Sequence, residues 1–406
     1  LARLSEALRS DAPAAASIDG IDITPCARVG YDSFEIRTSQ TAGTPTTRIS
    51  PDLVICDDCL REMRDPSDRR AGYPYINCTN CGPRFTITKD TPYDRPLTTM
   101  AAFTMCAACQ AEYDDPTDRR FHAQPNACPE CGPRVWLETA DGPMETADPI
   151  AETRRLVADG HIVAVKGIGG FHLACDARNH TAVQLLRERK HRTAKPFAVM
   201  AADTGTVAAV AEISPAEAEL LASPQRPIVL VTEAPGSDLS PGIAPGNTRI
   251  GVMLPYTPLH HLLLEPGDVW LMTSANFANE PIVKGNEEAR AKLATLADAL
   301  LLHDRDIHVH CDDSVVRVAG GGDLPIRRSR GYAPFPVTLP EPVRPALAVG
   351  GELKATFCLA SDTQAFMSQH IGDMENFETL MAFTDAVDHI TELFRIEPEM
   401  VIADLH

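Results

Sequence analysis

The chain has 406 residues, 44% hydrophobic and 23% charged, which fits a globular protein of more than one domain. A net charge of −19 argues against double-stranded nucleic acid as the main partner, because duplex affinity comes from neutralising phosphates with lysine and arginine. The absence of an 18-residue apolar run argues against a helical membrane span, and no basic segment leads into an apolar core as in a secretory signal.

Residues 1–45 open with a short apolar-periodic helix, LARLSEALRS, followed by a strand-like SIDGIDITP and a second strand, YDSFEIRTS. This is too little to form a core alone and reads as the tail of a domain. The first residue is Leu1, and the closing MVIADLH reads as a strand cut short, so an internal piece of a longer protein is expected.

Eight of the twelve cysteines form four C-x-x-C pairs: Cys56/Cys59, Cys78/Cys81, Cys106/Cys109 and Cys128/Cys131. A shift of 50 residues lays the first four onto the last four. The same shift lays Asp68-Arg69-Arg70 onto Asp118-Arg119-Arg120 and Gly82-Pro83-Arg84 onto Gly132-Pro133-Arg134. Each copy reads C-x2-C-x18-C-x2-C, in a module placed at 46–138. Zinc takes four soft ligands in a tetrahedron, and each C-x-x-C supplies two from one tight turn. The pattern predicts two structural Zn2+ ions with no open coordination position. Pairs crossed between the copies are an alternative, as are redox or disulfide cysteines. Paired cysteines without a secretion signal point to a reducing, cytoplasmic compartment.

After the turn-rich TADGPMETADP, residues 146–335 alternate helices with apolar strands, the pattern of an α/β domain. AETRRLVADG predicts a helix, HIVAVKGIGGFHLAC a strand, glycine loop and strand, and TAVQLLRERK a helix. PFAVM, PIVLV and VWLMTSAN predict strands, and NEEARAKLATLAD a helix. Three constellations carry chemistry. Lys166 opens a glycine loop, which either lets backbone approach an anion or is a plain tight turn. Lys190 and Arg192 lie at a helix end, where they would clamp phosphates or serve only as a solvated basic terminus. Ser274 and Asn276 follow a strand, where open α/β sheets bind ligands and where helix caps also occur. His260-His261 and the group His303, Asp304, His308, His310, Asp312, Asp313 are read mainly as packing and strand-end residues, with a metal as the lesser alternative.

A Pro-rich linker, GYAPFPVTLPEPVRP, precedes 343–406, which reads as the start of a third α/β domain. It predicts two short strands around a glycine turn, then an amphipathic helix near 376–394 with Phe377, Leu380, Val387, Ile390 and Phe394 on one side.

K-x-R followed by S-x-N after a strand resembles the YrdC family, which makes and uses acyl-adenylates from ATP. That resemblance implies phosphate binding by Lys190 and Arg192, phosphate or acyl-carbonyl binding by Ser274 and Asn276, and further contacts from Ser314 and Arg328. The cysteine array, AKPFAVM, PYTPLHHLLL and LAVGGELKATFCLA…SQHIGD resemble the HypF family over the whole chain. This implies the end of an acylphosphatase-like domain at 1–45, the zinc module, a YrdC-like twisted sheet and the start of an ASKHA-like carbamoyltransferase domain. It further implies a carbamoyltransferase of [NiFe]-hydrogenase maturation. Carbamoyl phosphate and ATP with Mg2+ would form carbamoyl adenylate, and the acceptor would be the C-terminal cysteine thiolate of a HypE-like protein. No catalytic nucleophile is assigned in the chain. The rival readings are a threonylcarbamoyl-adenylate synthase of tRNA modification, an antibiotic O-carbamoyltransferase and a zinc-stapled docking scaffold without catalysis.

Overall fold

Cysteine spacing decides the first unit. In a computed structural model, which describes residues 2–405 except 13–17, 19, 28, 31, 33–47, 278 and 279, each cysteine repeat builds one helix between two knuckles. Helix α1 (Ala2–Ser10) matches the expected opening helix. The described part of SIDGIDITP forms no strand, and YDSFEIRTS lies almost wholly outside the described residues. In the fingers, α2 (Asp57–Arg64) and α3 (Ala107–Asp114) start directly after Cys56 and Cys106, which stand at their N-caps. The Cys56 sulfur accepts from the Cys59 amide, so the metal knuckle doubles as a helix cap.

The second unit is a sheet of twelve strands among the described residues. Strands β1 (Val135–Thr139) and β2 (Gly142–Pro143) form one edge. Strand β1 closes the span assigned to the fingers, yet it pairs antiparallel with β10 (Ala299–His303) of the α/β sheet. Next to β10 run β3 (Val163–Lys166), β4 (Phe171–Asp176), β9 (Val269–Ser274), β5 (Ala198–Ala201) and β8 (Arg249–Met253). Then come β7 (Ile228–Glu233), β11 (Val315–Ala319) and β12 (Gly322–Arg327), with the short β6 (Ala211–Glu212) paired to β7. Pairing is mixed: β3 with β10, β5 with β8 and β7 with β11 are parallel, the rest antiparallel.

Helices cover both faces, which is why the central strands are apolar without alternation. Helices α5 (His180–Arg189), α6 (Thr204–Val210), α7 (Pro215–Ala222) and α9 (Asn286–Leu293) pack on one face with Leu173, Val199 and Leu271. On the other, α4 (Pro149–Ala158) and α8 (Pro258–Leu263) pack with Val165, Met200 and Met272.

The third unit begins earlier than the proline content suggests. Strand β13 runs Val337–Val349 through Pro340, Pro342 and Pro345, and pairs with β14 (Phe357–Met367). Proline has no amide to donate, so the register shifts between Thr338 and Val343 and again between Val343 and Ala346. Half of the expected linker is therefore a bulged strand. Strand β15 (Met400–Ala403) joins parallel to β13, and α10 (Phe377–Phe394) packs on the sheet. Ile390, Leu393 and Phe394 of α10 are buried as its periodicity requires, whereas Phe377 and Leu380 are exposed.

Finger one touches both other units. Ile55 N–H donates to the Tyr256 carbonyl at 3.1 Å, and His308 N–H to the Thr86 carbonyl at 2.8 Å. Ile49 and Phe85 share a core with Phe357, Leu359 and Ile390.

Candidate functional site

Two sulfur clusters define the metal centres. Cys56, Cys59, Cys78 and Cys81 gather in one, and Cys106, Cys109, Cys128 and Cys131 in the other, each set of ligand atoms lying within 4.8 Å. Neighbouring sulfurs are 3.5–3.8 Å apart in the first and 3.6–3.7 Å in the second. A tetrahedron with zinc–sulfur bonds of about 2.3 Å requires sulfur–sulfur edges of about 3.8 Å. The donor set and its spacing fit zinc, with all four positions taken by thiolates. Each quartet is drawn from one repeat, so pairs crossed between copies are ruled out, and the cysteines are free rather than disulfide-bonded. Among the described residues no other group of three or more His, Cys, Asp or Glu is arranged to hold a metal. His260 is instead fully buried, edge-on to Tyr256 with ring centroids 4.4 Å apart. His303 is buried, its Nε2 3.2 Å from the Gly167 carbonyl.

The second centre lies where β9 ends. Lys190 is the C-cap of α5, and its ammonium donates to the Ser274 carbonyl at 2.9 Å, the Asn276 carbonyl at 2.6 Å and Asn276 Oδ1 at 3.1 Å. Ser274 Oγ donates to Asn276 Oδ1 at 3.1 Å, and Asn276 Nδ2 to the Glu280 carbonyl at 2.6 Å. Arg192 donates to Thr273 Oγ1 at 3.1 Å and stacks on Phe197, 4.5 Å from the ring centroid. Four of the expected residues, far apart in sequence, thus meet at one strand end. Burial first, then the charges of Arg192 and Lys195, push the Lys190 ammonium down to about 7. Burial, then Arg187, lowers Arg192 to about 10. Cations held this way gain when an anion arrives to share the site.

The other three expected residues stand apart. Lys166 is buried on the far side of the glycine loop, donating to Asn286 Oδ1 at 2.7 Å and the His303 carbonyl at 3.0 Å. It lines a pocket roofed by finger one through Leu53, Tyr75 and Pro83, and burial lowers it to about 8. Ser314 is fully buried, donating to the Arg330 carbonyl at 2.9 Å and accepting from the Ser329 amide at 2.8 Å, which makes it a staple between strands. Arg328 donates to the carbonyls of Met367 at 3.2 Å and Tyr332 at 2.9 Å, clamping the α/β unit to β14.

A buried network escaped the sequence reading. His172 Nε2 lies 2.8 Å from Asp313 Oδ2, and Arg330 Nε donates to Asp313 Oδ1 at 2.7 Å. The Arg330 guanidinium lies 3.4 Å from the Tyr256 ring centroid. His172 pairs directly with Ser274 across β4 and β9, so the network underlies the Lys190 centre. A histidine inside an otherwise apolar strand was the available signal. Gly169 permits the same packing, since a Cβ there would stand 2.3 Å from the Cys311 carbonyl oxygen.

Two four-thiolate sites joined to a mixed α/β sheet with a cluster of basic and polar side chains at a strand end define a zinc-finger α/β protein. Comparison with known proteins narrows the class. A HypF finger model matches residues 55–88 and 105–138, a Sua5/YciO/YrdC model described as telomere recombination matches 155–329, and a HypF Kae1-like domain model matches 341–406. Carbamoyltransferase HypF2 of Cupriavidus necator is 50% identical over 429 residues, covering 100% of this chain and 53% of that protein. Carbamoyltransferase HypF of Rhizobium leguminosarum is 48% identical, covering 99% and 52%. A crystal structure of full-length HypF in the phosphate- and nucleotide-bound form superposes with a TM-score of 0.95 at 45% identity, covering 100% of this chain and 53% of that one. The chain belongs to the HypF family. It spans about half the length of the curated relatives it matches.

Proposed function

We propose that this chain carries the zinc-finger and nucleotide-handling part of a carbamoyltransferase that matures [NiFe]-hydrogenases. The observation that carries the reading is the convergence of Lys190, Arg192, Ser274 and Asn276 at the end of β9, in a chain with relatives named carbamoyltransferase HypF. In this reading ATP with Mg2+ lays its phosphates against Lys190 and Arg192, while the hydroxyl and amide of Ser274 and Asn276 orient the carbamoyl group. Water first cleaves carbamoyl phosphate to carbamate and inorganic phosphate; a carbamate oxygen then joins the α-phosphorus and pyrophosphate leaves. The thiolate of a HypE-like acceptor then attacks the carbamoyl carbon and AMP departs. Adenylation supplies the leaving group, and buried cations stabilise charge where it develops. Lys166 belongs in this proposal as a substrate contact in the separate pocket beneath finger one, and Ser314 and Arg328 as residues that hold the surrounding backbone in place. Residues 1–45 are assigned to the end of an acylphosphatase-like unit and 343–406 to the start of an ASKHA-like unit. No helix among the described residues is long and apolar enough to cross a membrane.

The test is exchange of labelled pyrophosphate into ATP, together with calorimetric ATP–Mg2+ binding, for the chain and its Lys190→Ala variant. Exchange that requires carbamoyl phosphate and vanishes in the variant is expected. Exchange driven instead by threonine and bicarbonate would move the protein to tRNA modification, and a chain that binds no nucleotide would be a scaffold.

A further inference from the structure

The two finger repeats exchange arginines. Arg119, in the second copy, donates to Cys59 Sγ of the first at 3.2 Å and through Nε to Glu62 Oε1 at 3.0 Å. Arg69, in the first copy, donates to Cys109 Sγ of the second at 3.2 Å and through Nε to Glu112 Oε1 at 3.2 Å. These partners are the same residues displaced by 50 positions, so the exchange is reciprocal. The adjacent arginines repeat it: Arg70 donates to the Ala127 carbonyl at 2.9 Å and Arg120 to the Asn77 carbonyl at 3.1 Å. Arg70 also reaches Cys109 Sγ at 3.5 Å, and its side chain is 2% exposed.

Four thiolates around one Zn2+ leave a net charge of about −2 on the cluster. Donors to the sulfurs offset part of that charge, and partners beyond the ligands themselves typically change metal affinity about 10–100-fold. In this fold the guanidinium donors come from the other copy. Glu62 and Glu112 hold each guanidinium in place by salt bridges that also cross between copies.

We propose that each zinc site is completed by the arginine of the opposite repeat, so that the two ions are held as a coupled pair and Arg69 and Arg119 are positioning residues for metal ions bound by the other copy. The consequence runs against chain order: a change in repeat two loosens the ion of repeat one. Release of one zinc loosens the copy that held it, and with it the arginine that copy extends to the other site, Arg69 from the first copy or Arg119 from the second, which weakens the second ion. Duplication within one chain is what makes this coupling available, since an isolated copy has no partner to supply the donor.

The experiment uses the whole chain, after confirming two zinc ions per chain by metal analysis, so that failure of the zinc assignment reads separately. A chelator competes for zinc while iodoacetamide traps released thiols, and mass spectrometry times alkylation of each quartet. In Arg119→Ala the Cys56/Cys59/Cys78/Cys81 quartet should be released about 10–100-fold faster, ahead of the quartet in the mutated repeat. Arg69→Ala should do the reverse. Arg119→Lys, which keeps one donor, should fall between wild type and alanine. In the cobalt-loaded protein, Arg119→Ala should shift the sulfur-to-metal charge-transfer band of the first site to lower energy, a change that a merely structural role would not produce. Faster release confined to the mutated repeat's own quartet, equal release from both in either alanine variant, or no change, would overturn the proposal.

Discussion

Asp313 is a buried carboxylate, and its neighbours decide its charge. Burial alone would raise its pKa, but the Arg330 charge and then His172 hold it well below the ordinary carboxylate range. A depressed carboxyl contributes stability above its unfolded value of about 3.9, and that contribution is lost as pH falls below it. Asp313→Ala leaves Arg330 buried without its counter-charge, at a cost of about 3–5 kcal/mol. Urea unfolding at pH 7 measures this; a loss below 1 kcal/mol would mean that Arg330 is solvated. Lys190 gives the complementary case. With its ammonium lowered to about 7, an incoming phosphate must bring a proton with it as pH rises. Nucleotide affinity is expected to weaken by up to about tenfold per pH unit above 7 until the pKa of the bound state is reached. Lys190→Arg should flatten the slope, which calorimetry at pH 6.5, 7.5 and 8.5 reads directly. The sequence made Lys190, Arg192, Ser274 and Asn276 visible as a spaced pattern. It did not reveal His172, Asp313 and Arg330 as partners, because their contacts span 141 and 17 residues.

At the scale of elements, caps and knuckles do most of the local specification. Cys56 and Cys106 stand at the N-caps of α2 and α3, and at α2 the ligand sulfur itself accepts the cap bond, so each helix starts at a metal ligand. Removal of zinc by a chelator should therefore erase amide protection of α2 and α3 while β3, β4 and β9 stay protected. Hydrogen exchange checks this, and persistent protection of α2 would show that packing alone holds the finger. At the start of α10, the Asn376 side chain accepts from the Thr379 amide at 2.8 Å. Asn376→Ala should cost about 1 kcal/mol and show first as faster exchange in the opening turn of that helix. The period of α10 was legible in its sequence, and burial of Ile390 and Phe394 follows it. The exposure of Phe377 and Leu380 was not, since periodicity marks which positions share a face but not which of them another element covers.

Across the whole molecule, finger one joins the units. It shares a core with β14 and α10 through Ile49 and Phe85, and a backbone bond with the segment before α8 through Ile55. The cysteine count, the spacing and the 50-residue repeat determined the zinc chemistry by themselves, because a metal site needs only a few ligands held in local turns. The alternation of helices and apolar strands likewise determined an α/β class, because burial on both faces leaves a local hydrophobic signature. Only the tertiary structure decided that β1 belongs to the large sheet, that Lys166 lies apart from Lys190, and that each arginine pair serves the opposite finger. Those outcomes depend on which surfaces meet, and surfaces that meet far apart in the chain leave no periodic trace in it.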